Sequence, residues 1–169
     1  MFWDQVAGVY DVFVNVINRK THKKLKEIVS ALIEPGDDVL ECACGTGLLS
    51  AVIAQKSGRL TATDFSKKML KKAEKNCAAL HNISFSQADI TNLSFPDNSF
   101  DKVVAGNVIH LLDNPLTALG ELTRVCKDGG MLIFPTYLNN NSKGKTSGFE
   151  ETQNEYDGKT HNRNHMMKL

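Results

Sequence analysis

A glycine-containing turn between a buried strand and a helix is the segment best suited to chemistry. Residues 41–47 read Glu-Cys-Ala-Cys-Gly-Thr-Gly and follow a short apolar run. A strand that ends in such a turn and leads into a helix lets a ligand approach backbone N–H groups closely. In an open α/β sheet the ligand crevice lies at the carboxyl ends of the strands. The segment therefore predicts a ligand site.

Three kinds of ligand site compete for this turn. A nicotinamide dinucleotide site needs Gly-x-Gly-x-x-Gly/Ala, and the sixth position here is Ser50, so that fingerprint is incomplete. A phosphate-binding P-loop needs Gly-Lys-Ser/Thr, which is absent. An S-adenosylmethionine site needs close backbone approach to an amino-acid moiety and an acid for the ribose. Asp64 supplies such an acid at the end of the second predicted strand, nineteen residues after Gly45.

The elements that position these residues alternate between strand and helix. The patterns predict strands at 38–42, 60–64, 83–85, 100–105 and 131–134, and helices at 48–55, after Ser66 and from Pro115 to about 126. Asp-Gly-Gly at 128–130 is a predicted turn. Two amphipathic helices, at 6–17 and 21–34, precede the first strand. This alternation over ~100 residues predicts right-handed βαβ units, hence an α/β fold with a doubly wound, Rossmann-like parallel sheet and helices on both faces.

Composition excludes several classes of function. The chain of 169 residues has a net charge of +1, so no strong field favours nucleic acid or an anionic membrane. We interpret the lysines between 67 and 75 as a solvated helix face. Cys42 and Cys44 form Cys-x-Cys without a nearby histidine, which predicts buried thiols in a reducing compartment and no metal site. Because neither a signal peptide nor a membrane span is visible, we expect a cytoplasmic protein.

Five motifs in order resemble the class I S-adenosylmethionine-dependent methyltransferases. They are Val-Leu-Glu-Cys-Ala-Cys-Gly-Thr-Gly at 39–47, Thr-Asp-Phe-Ser at 63–66, Gln-Ala-Asp-Ile at 87–90, Phe-Asp-Lys-Val-Val at 100–104 and Arg-Val-Cys-Lys-Asp-Gly-Gly-Met-Leu at 124–132. Trp3-Asp4 and Tyr10-Asp11 resemble the opening of the small-molecule subgroup that includes the ubiquinone/menaquinone biosynthesis enzymes. The resemblance covers about residues 1–137 and implies a methyltransferase domain at 1–138, with 1–34 as N-terminal helices and lid.

The resemblance implies a set of residues that bind S-adenosyl-L-methionine. They are Tyr10, Glu41, Ala43, Gly45, Thr46, Gly47, Asp64, Phe65, Met69, Asp89, Ile90 and Asn107. Gly45 and Gly47 would contact the methionine carboxylate and amino groups through the backbone, and Glu41 would orient the amino group. Asp64 would hold the ribose hydroxyls, Asp89 the adenine amino group, and Ile90 and Phe65 the ring. Tyr10 would close over the cofactor, and Asn107 would touch the cofactor or acceptor or else form a turn.

His110 is the candidate catalytic residue because it follows the fourth strand, where the acceptor would lie. A neutral histidine there can remove a proton from the acceptor, or it can pack between Ile109 and Leu111. The expected reaction transfers a methyl group to a small-molecule acceptor. The protein holds donor and acceptor in line and excludes water, without a metal.

Two features depart from the family pattern. Ala43 stands where the family usually has Gly; alanine allows a similar turn if its φ is negative, but it narrows the approach to the methionine moiety. The polar segment 139–169 lacks the apolar period for the antiparallel strand pair that normally completes the sheet, so we expect an irregular tail. Without that pair, residues 131–134 would form an exposed sheet edge that could pair two chains into a homodimer. The alternative functions are therefore a catalytically silent cofactor-binding or assembly module and, less favoured, a nicotinamide oxidoreductase.

Overall fold

The computed structural model describes residues 19–135 and 165–168, and these form a single six-stranded parallel sheet with strand order β3-β2-β1-β4-β5-β6. The strands are β1 Asp38–Cys42, β2 Arg59–Asp64, β3 Ile83–Gln87, β4 Phe100–Ala105, β5 Cys126–Phe134 and β6 His165–Lys168. The helices are α1 Arg19–Leu32, α2 Ser50–Ala54, α3 Lys67–Asn76 and α4 Pro115–Val125, with a 3₁₀ helix at Ile109–Leu111. The predicted α/β fold is confirmed. The helix predicted at 6–17 lies outside the described residues.

The sheet has one apolar layer on each face, as its alternating side chains require. Val39 of β1 belongs to the layer that α1, α2 and α3 cover, whereas Leu40 belongs to the layer that α4 covers. Both side chains are fully buried. Since burying one large aliphatic side chain contributes about 1.5–3 kcal/mol, these two layers hold the helices on the sheet.

The strand order reverses between β1 and β4, and this reversal places the crevice. From β1 the chain proceeds outward through β2 and β3, then crosses to β4 and β5 on the other side of β1. Cys42 at the end of β1 is in register with Ala105 at the end of β4. The loops that follow these two residues therefore flank the same crevice.

Side-chain caps begin the two longer crossover helices, as predicted. The Ser66 hydroxyl accepts a hydrogen bond from the Met69 amide at the start of α3, at 3.2 Å. At α4 the Asn114 side chain accepts from the Thr117 amide at 3.3 Å, and Pro115 is the first helical residue. Both helices thus begin at the edge of the sheet where the crevice lies.

The predicted Asp-Gly-Gly turn is a bulge inside β5. Phe100 pairs with Cys126 but Lys102 pairs with Met131, so β5 carries extra residues between the two pairs. A Cβ on Gly130 would lie 2.8 Å from the Asp101 carbonyl oxygen, which only glycine avoids. The strand accordingly begins at residue 126, five residues before the predicted start.

The tail supplies a strand that its sequence does not predict. β6 pairs in parallel with β5, with Met131 opposite His165 and Phe134 opposite Lys168. The prediction of an irregular tail is therefore wrong for 165–168, and the predicted exposed edge of β5 is covered. Four residues are too few to show an apolar period, and strand pairing uses backbone groups that any of them carry. The proposed basis for a homodimer is lost with that edge.

None of the helices in the described ranges is long and apolar enough to cross a membrane. The division between a domain at 1–138 and a tail at 139–169 stays a proposal, to which β6 adds a strand from the tail.

Candidate active site

The turn after β1 is tied to both of its neighbours. The Cys44 amide donates to the Thr63 carbonyl of β2 at 2.9 Å, and the Gly47 amide donates back to the Cys44 carbonyl at 3.0 Å. On the other side, the Asn76 side-chain amide of α3 donates to the Thr46 carbonyl at 2.9 Å. The turn is therefore held in one shape by β2 and α3, without a ligand.

Asp64, at the carboxyl end of β2, is hydrogen-bonded through both carboxylate oxygens. Its Oδ2 accepts from the Gly45 amide and its Oδ1 from the Ser66 amide, each at 2.8 Å. A carboxylate oxygen has two lone pairs, so two backbone bonds orient the group without using up its acceptor capacity. Asp64 thus links the end of β2 to the turn after β1 and to the residues that begin α3.

Glu41 is a buried carboxyl group on the central strand. Only 2% of the residue is exposed, and its Oε2 lies 2.6 Å from the Oγ of Ser50, which is fully buried on α2. Burial raises the pKa of Glu41 to about 8, and the nearby negative Asp64 adds to the rise, while the Ser50 hydrogen bond opposes it. Glu41 therefore keeps its proton to higher pH than an exposed carboxyl group, and its ionised form is the one that would pair with a cation.

The two predicted cofactor glycines have different surroundings. Both have positive φ, but a Cβ on Gly45 would enter open space, whereas one on Gly47 would lie 3.1 Å from the Cys77 Sγ. Gly47 therefore allows close packing against α3. The amides of Gly45 and Gly47 both already donate hydrogen bonds within the protein, to Asp64 and to the Cys44 carbonyl. Within the described residues, the amides of Thr46 and Leu48 donate no hydrogen bond.

Ala43 adopts the left-handed conformation, with φ of +55°. The condition of a negative φ at this position is therefore not met. The chain must leave β1 and place the next amide on the Thr63 carbonyl, and the left-handed residue makes this sharp change of direction. A non-glycine residue pays about 1–2 kcal/mol for such a φ, which explains why the family usually has glycine here.

Three residues that are predicted to bind the adenine follow the ends of β2 and β3. Phe65, directly after β2, is 47% exposed, which leaves its ring available to a ligand. Asp89 is exposed beyond β3, and its Oδ1 accepts from the amide and hydroxyl of Thr91 at 2.8 and 2.7 Å. Ile90 is buried in the α4-side layer. Met69, a residue of α3, is also buried.

Asn107 and His110 follow β4 at the crevice, as predicted. The Asn107 amide donates to the Pro135 carbonyl at 2.8 Å and its φ is +53°, so its backbone makes the turn after β4. His110 lies in the short 3₁₀ helix and is exposed. Tyr10, the predicted lid residue, lies outside the described residues.

The cysteines behave as small buried hydrophobic groups, as predicted, and all four are free and buried. Burial raises the pKa of the Cys42 and Cys44 thiols, so neither is an activated nucleophile. Across residues 19–135 and 165–168, the structure gathers no three His, Cys, Asp or Glu side chains as metal ligands.

Sequence reasoning missed two residues that shape the site, Ser50 and Asn76. Ser50 was visible in the Gly-x-Gly-x-x-Ser spacing, but there it served only to reject a dinucleotide site. A polar residue pointing inward beside a buried acid is the signal that would have identified it. Asn76 gives no such signal, because its contact with Thr46 joins residues thirty positions apart.

Comparison with known proteins agrees with this geometry. Residues 40–134 match the model of a methyltransferase domain family. A demethylmenaquinone methyltransferase of Staphylococcus epidermidis is 35% identical over 137 residues, which cover 78% of this chain and 56% of the relative. The chain therefore spans little more than half the length of that relative.

Two solved structures have the same fold. A crystal structure described as a putative S-adenosyl-L-methionine-dependent methyltransferase of Methanococcus maripaludis is 25% identical, with a TM-score of 0.70, and covers 79% of this chain and 63% of its own. A structure described as a DhpI–SAH complex is 28% identical, with a TM-score of 0.67, and covers 79% of this chain and 64% of its own. The family match includes the end of β1, the turn, Asp64 and β4, so this chain belongs to the methyltransferase domain family.

Proposed function

We propose that this protein is an S-adenosylmethionine-dependent methyltransferase that acts on a small-molecule acceptor. The observation that carries the proposal is the pair of carboxyl groups, Glu41 and Asp64, on adjacent strands on either side of one glycine turn. One group is buried and held by the Ser50 hydroxyl, and the other is oriented by two backbone amides. This arrangement suits a ligand with a cationic amino-acid end and a ribose.

The turn itself fits the cofactor. Open space lies where a Cβ on Gly45 would be, and the amides of Thr46 and Leu48 have no acceptor within the described residues. We assign these two amides to the methionine carboxylate, in place of the Gly45 and Gly47 amides. Glu41 would then receive the ammonium group, Asp64 the ribose hydroxyls and Phe65 the adenine ring, with Asp89 at the adenine amino group.

The chemistry follows from what each side of the crevice does. The bound cofactor supplies a sulfonium methyl group that is reactive without a covalent enzyme intermediate. The residues after β1 and β2 hold the donor side in a fixed position, and the loop after β4 carries the acceptor side. Positioning the acceptor in line with the methyl group is the main contribution of the protein to the rate.

The acceptor is proposed to be a quinone-type small molecule, because the relatives that match most of this chain are named demethylmenaquinone methyltransferases. Such an acceptor must lose a proton as it gains the methyl group. His110, exposed at the end of β4, is the proposed general base. His110→Ala should lower kcat by about 10²–10⁴-fold with little change in cofactor affinity. An unchanged kcat would remove His110 from this role.

Isothermal titration with S-adenosylhomocysteine tests the cofactor site directly. The wild-type chain should bind it saturably, and Asp64→Ala should lose the binding while it stays folded by circular dichroism. No binding to the folded wild-type chain would refute the methyltransferase proposal. A nicotinamide oxidoreductase predicts saturable binding of NADH instead, which the same instrument measures.

The silent-module alternative is weaker than the enzyme proposal. It required an exposed edge on β5, and β6 covers that edge. Retained cofactor binding without transfer to any quinone-type acceptor would favour it again.

A further inference from the structure

Ser50 has a function that the glycine fingerprint does not explain. It is the sixth residue of Gly-x-Gly-x-x-Ser, it is fully buried, and its Oγ lies 2.6 Å from the Oε2 of Glu41. Buried hydroxyl groups normally have a partner, but this one is paired with a carboxyl group beside the crevice rather than with a helix carbonyl. The contact is therefore part of the site as well as of the core.

The hydrogen bond fixes which part of Glu41 faces a ligand. Ser50 occupies Oε2, and Oε1 accepts no hydrogen bond from the residues that the structure describes. Glu41 is on β1 between β2 and β4, and only 2% of the residue is exposed, so its carboxyl group has few positions open to it. A fixed carboxyl group loses less conformational entropy on binding than a mobile one.

We propose that Ser50 is a positioning residue that holds the Glu41 carboxyl group in place for the ammonium group of the methionine moiety. The inference rests on the proposed function, because it needs Glu41 to be a cofactor ligand. It predicts an interaction between Ser50 and cofactor binding that acts through Glu41 alone.

The hydrogen bond from Ser50 should change how cofactor binding depends on pH. The Ser50 hydrogen bond lowers the pKa of Glu41 against the larger effect of burial. Without the hydroxyl, Glu41 should hold its proton to higher pH. Since the ammonium group pairs best with the ionised carboxylate, cofactor binding in Ser50→Ala should need a higher pH than in the wild-type chain.

The test is the affinity for S-adenosylhomocysteine from pH 6 to pH 9.5 in four chains: wild type, Ser50→Ala, Glu41→Gln and the double variant. At pH 7 we expect Ser50→Ala to bind about tenfold more weakly, in line with the loss of a hydrogen bond to an ionised group. The difference should shrink toward pH 9.5. In the Glu41→Gln background the same substitution should change the affinity by less than about twofold.

A second serine gives a matched control. Ser57 is also buried, and its Oγ has no hydrogen-bond partner among the described residues. Ser57→Ala should leave affinity and its pH dependence unchanged. Ser50→Cys keeps the volume of the side chain but donates only weakly, so it should give an intermediate shift. It also provides the measurement if Ser50→Ala fails to fold.

The possible results separate the two proposals. Weaker binding at every pH by one constant factor, or an equal loss in the Glu41→Gln background, would overturn the role of Ser50 and leave the cofactor site intact. Wild-type affinity in Ser50→Ala would also overturn it. If the folded wild-type chain does not bind at all, the proposed function fails, and the role of Ser50 fails with it.

Discussion

The Oδ2 of Asp64 accepts a hydrogen bond from the Gly45 amide at 2.8 Å, so the carboxylate at the end of β2 supports the turn after β1. The same side chain therefore has a structural role as well as its proposed role in binding. It shapes the turn before any ligand arrives, and under the proposed function it also holds the ribose. Substitutions at Asp64 should therefore affect the empty protein as well as the bound one.

Asp64→Asn tests both the structural role and the proposed binding role of this side chain. An asparagine has one oxygen for two backbone donors, and its NH₂ group would face the second donor. We expect the free energy of unfolding to fall by about 1–2 kcal/mol without ligand, and the affinity for S-adenosylhomocysteine to fall at least tenfold. Urea unfolding and isothermal titration measure the two effects. Unchanged stability in urea would show that the hydrogen bond to Gly45 does not support the turn.

Glu41 should make the protein less stable as the pH rises. Its folded-state pKa, about 8, lies above the ordinary glutamate pKa of 4.5, so the folded chain keeps a proton that the unfolded chain loses. The stabilisation is complete below about pH 4.5, decreases as the pH rises toward 8, and is lost above it. Glu41→Gln does not titrate, so urea midpoints between pH 5 and pH 8 should decline less than those of the wild-type chain.

Other buried or paired groups also make the stability depend on pH, so the wild-type chain must be compared with Glu41→Gln. Burial by itself would raise the pKa of Asp101, but the hydrogen bonds with Lys127 and the Asp38 amide and the positive charge of Lys127 together lower it. That group loses its stabilising effect at acid pH in both chains, so it cancels from the difference. Parallel curves for the two chains would contradict the raised pKa of Glu41.

The parts of the fold that were predictable from sequence depend on local signals. Ser66 and Asn114 cap helices because each side chain reaches an amide three residues ahead. The strands that end at Cys42, Asp64 and Ala105 are short apolar runs that end at turns, and the chain order of helices and strands identified their sheet as parallel.

The parts that were not predictable depend on contacts between distant residues. The bulge in β5 is set by pairing with β4, and β6 is set by pairing with β5 across residues 136–164. The hydrogen bond from Ser50 to Glu41 joins two elements across the turn, so the Gly-x-Gly-x-x-Ser spacing shows Ser50 but not its partner. The left-handed φ of Ala43 likewise follows from where the Thr63 carbonyl lies.

Ala43→Gly should stabilise the protein. Glycine adopts a φ of +55° without the clash that alanine suffers, but it also gives the unfolded chain more freedom. The net gain expected from these opposed effects is about 0.5–1 kcal/mol in the free energy of unfolding. Ala51→Gly on α2 is the matched control, because it adds the same freedom where no positive φ occurs, and it should destabilise. A loss of stability in Ala43→Gly would show that φ at this position carries no strain.

The Arg124 side chain links α4 by hydrogen bonds to the segment that leads into β4. We expect the planar arrangement of its donors to contribute more to stability than its charge. Its guanidinium donates to the carbonyls of Leu93 and Phe95 and to the carboxylates of Asp97 and Glu121, at 2.7–2.9 Å. Lysine keeps the charge but cannot reproduce this planar set of donors. Because the group is partly exposed, water replaces some of the lost bonds, and we expect Arg124→Lys to cost about 1–2 kcal/mol.

Thermal unfolding of Arg124→Lys and Asp97→Asn distinguishes the contribution of the guanidinium hydrogen bonds to stability from that of the ion pair with Asp97. Asp97 is an exposed partner, so Asp97→Asn should change the stability by less than about 0.5 kcal/mol. The carbonyls of Leu93 and Phe95 are partly buried, and they lose their donors only in Arg124→Lys. If the two variants unfold at the same temperature, the charge pair with Asp97 accounts for the effect and the backbone hydrogen bonds do not.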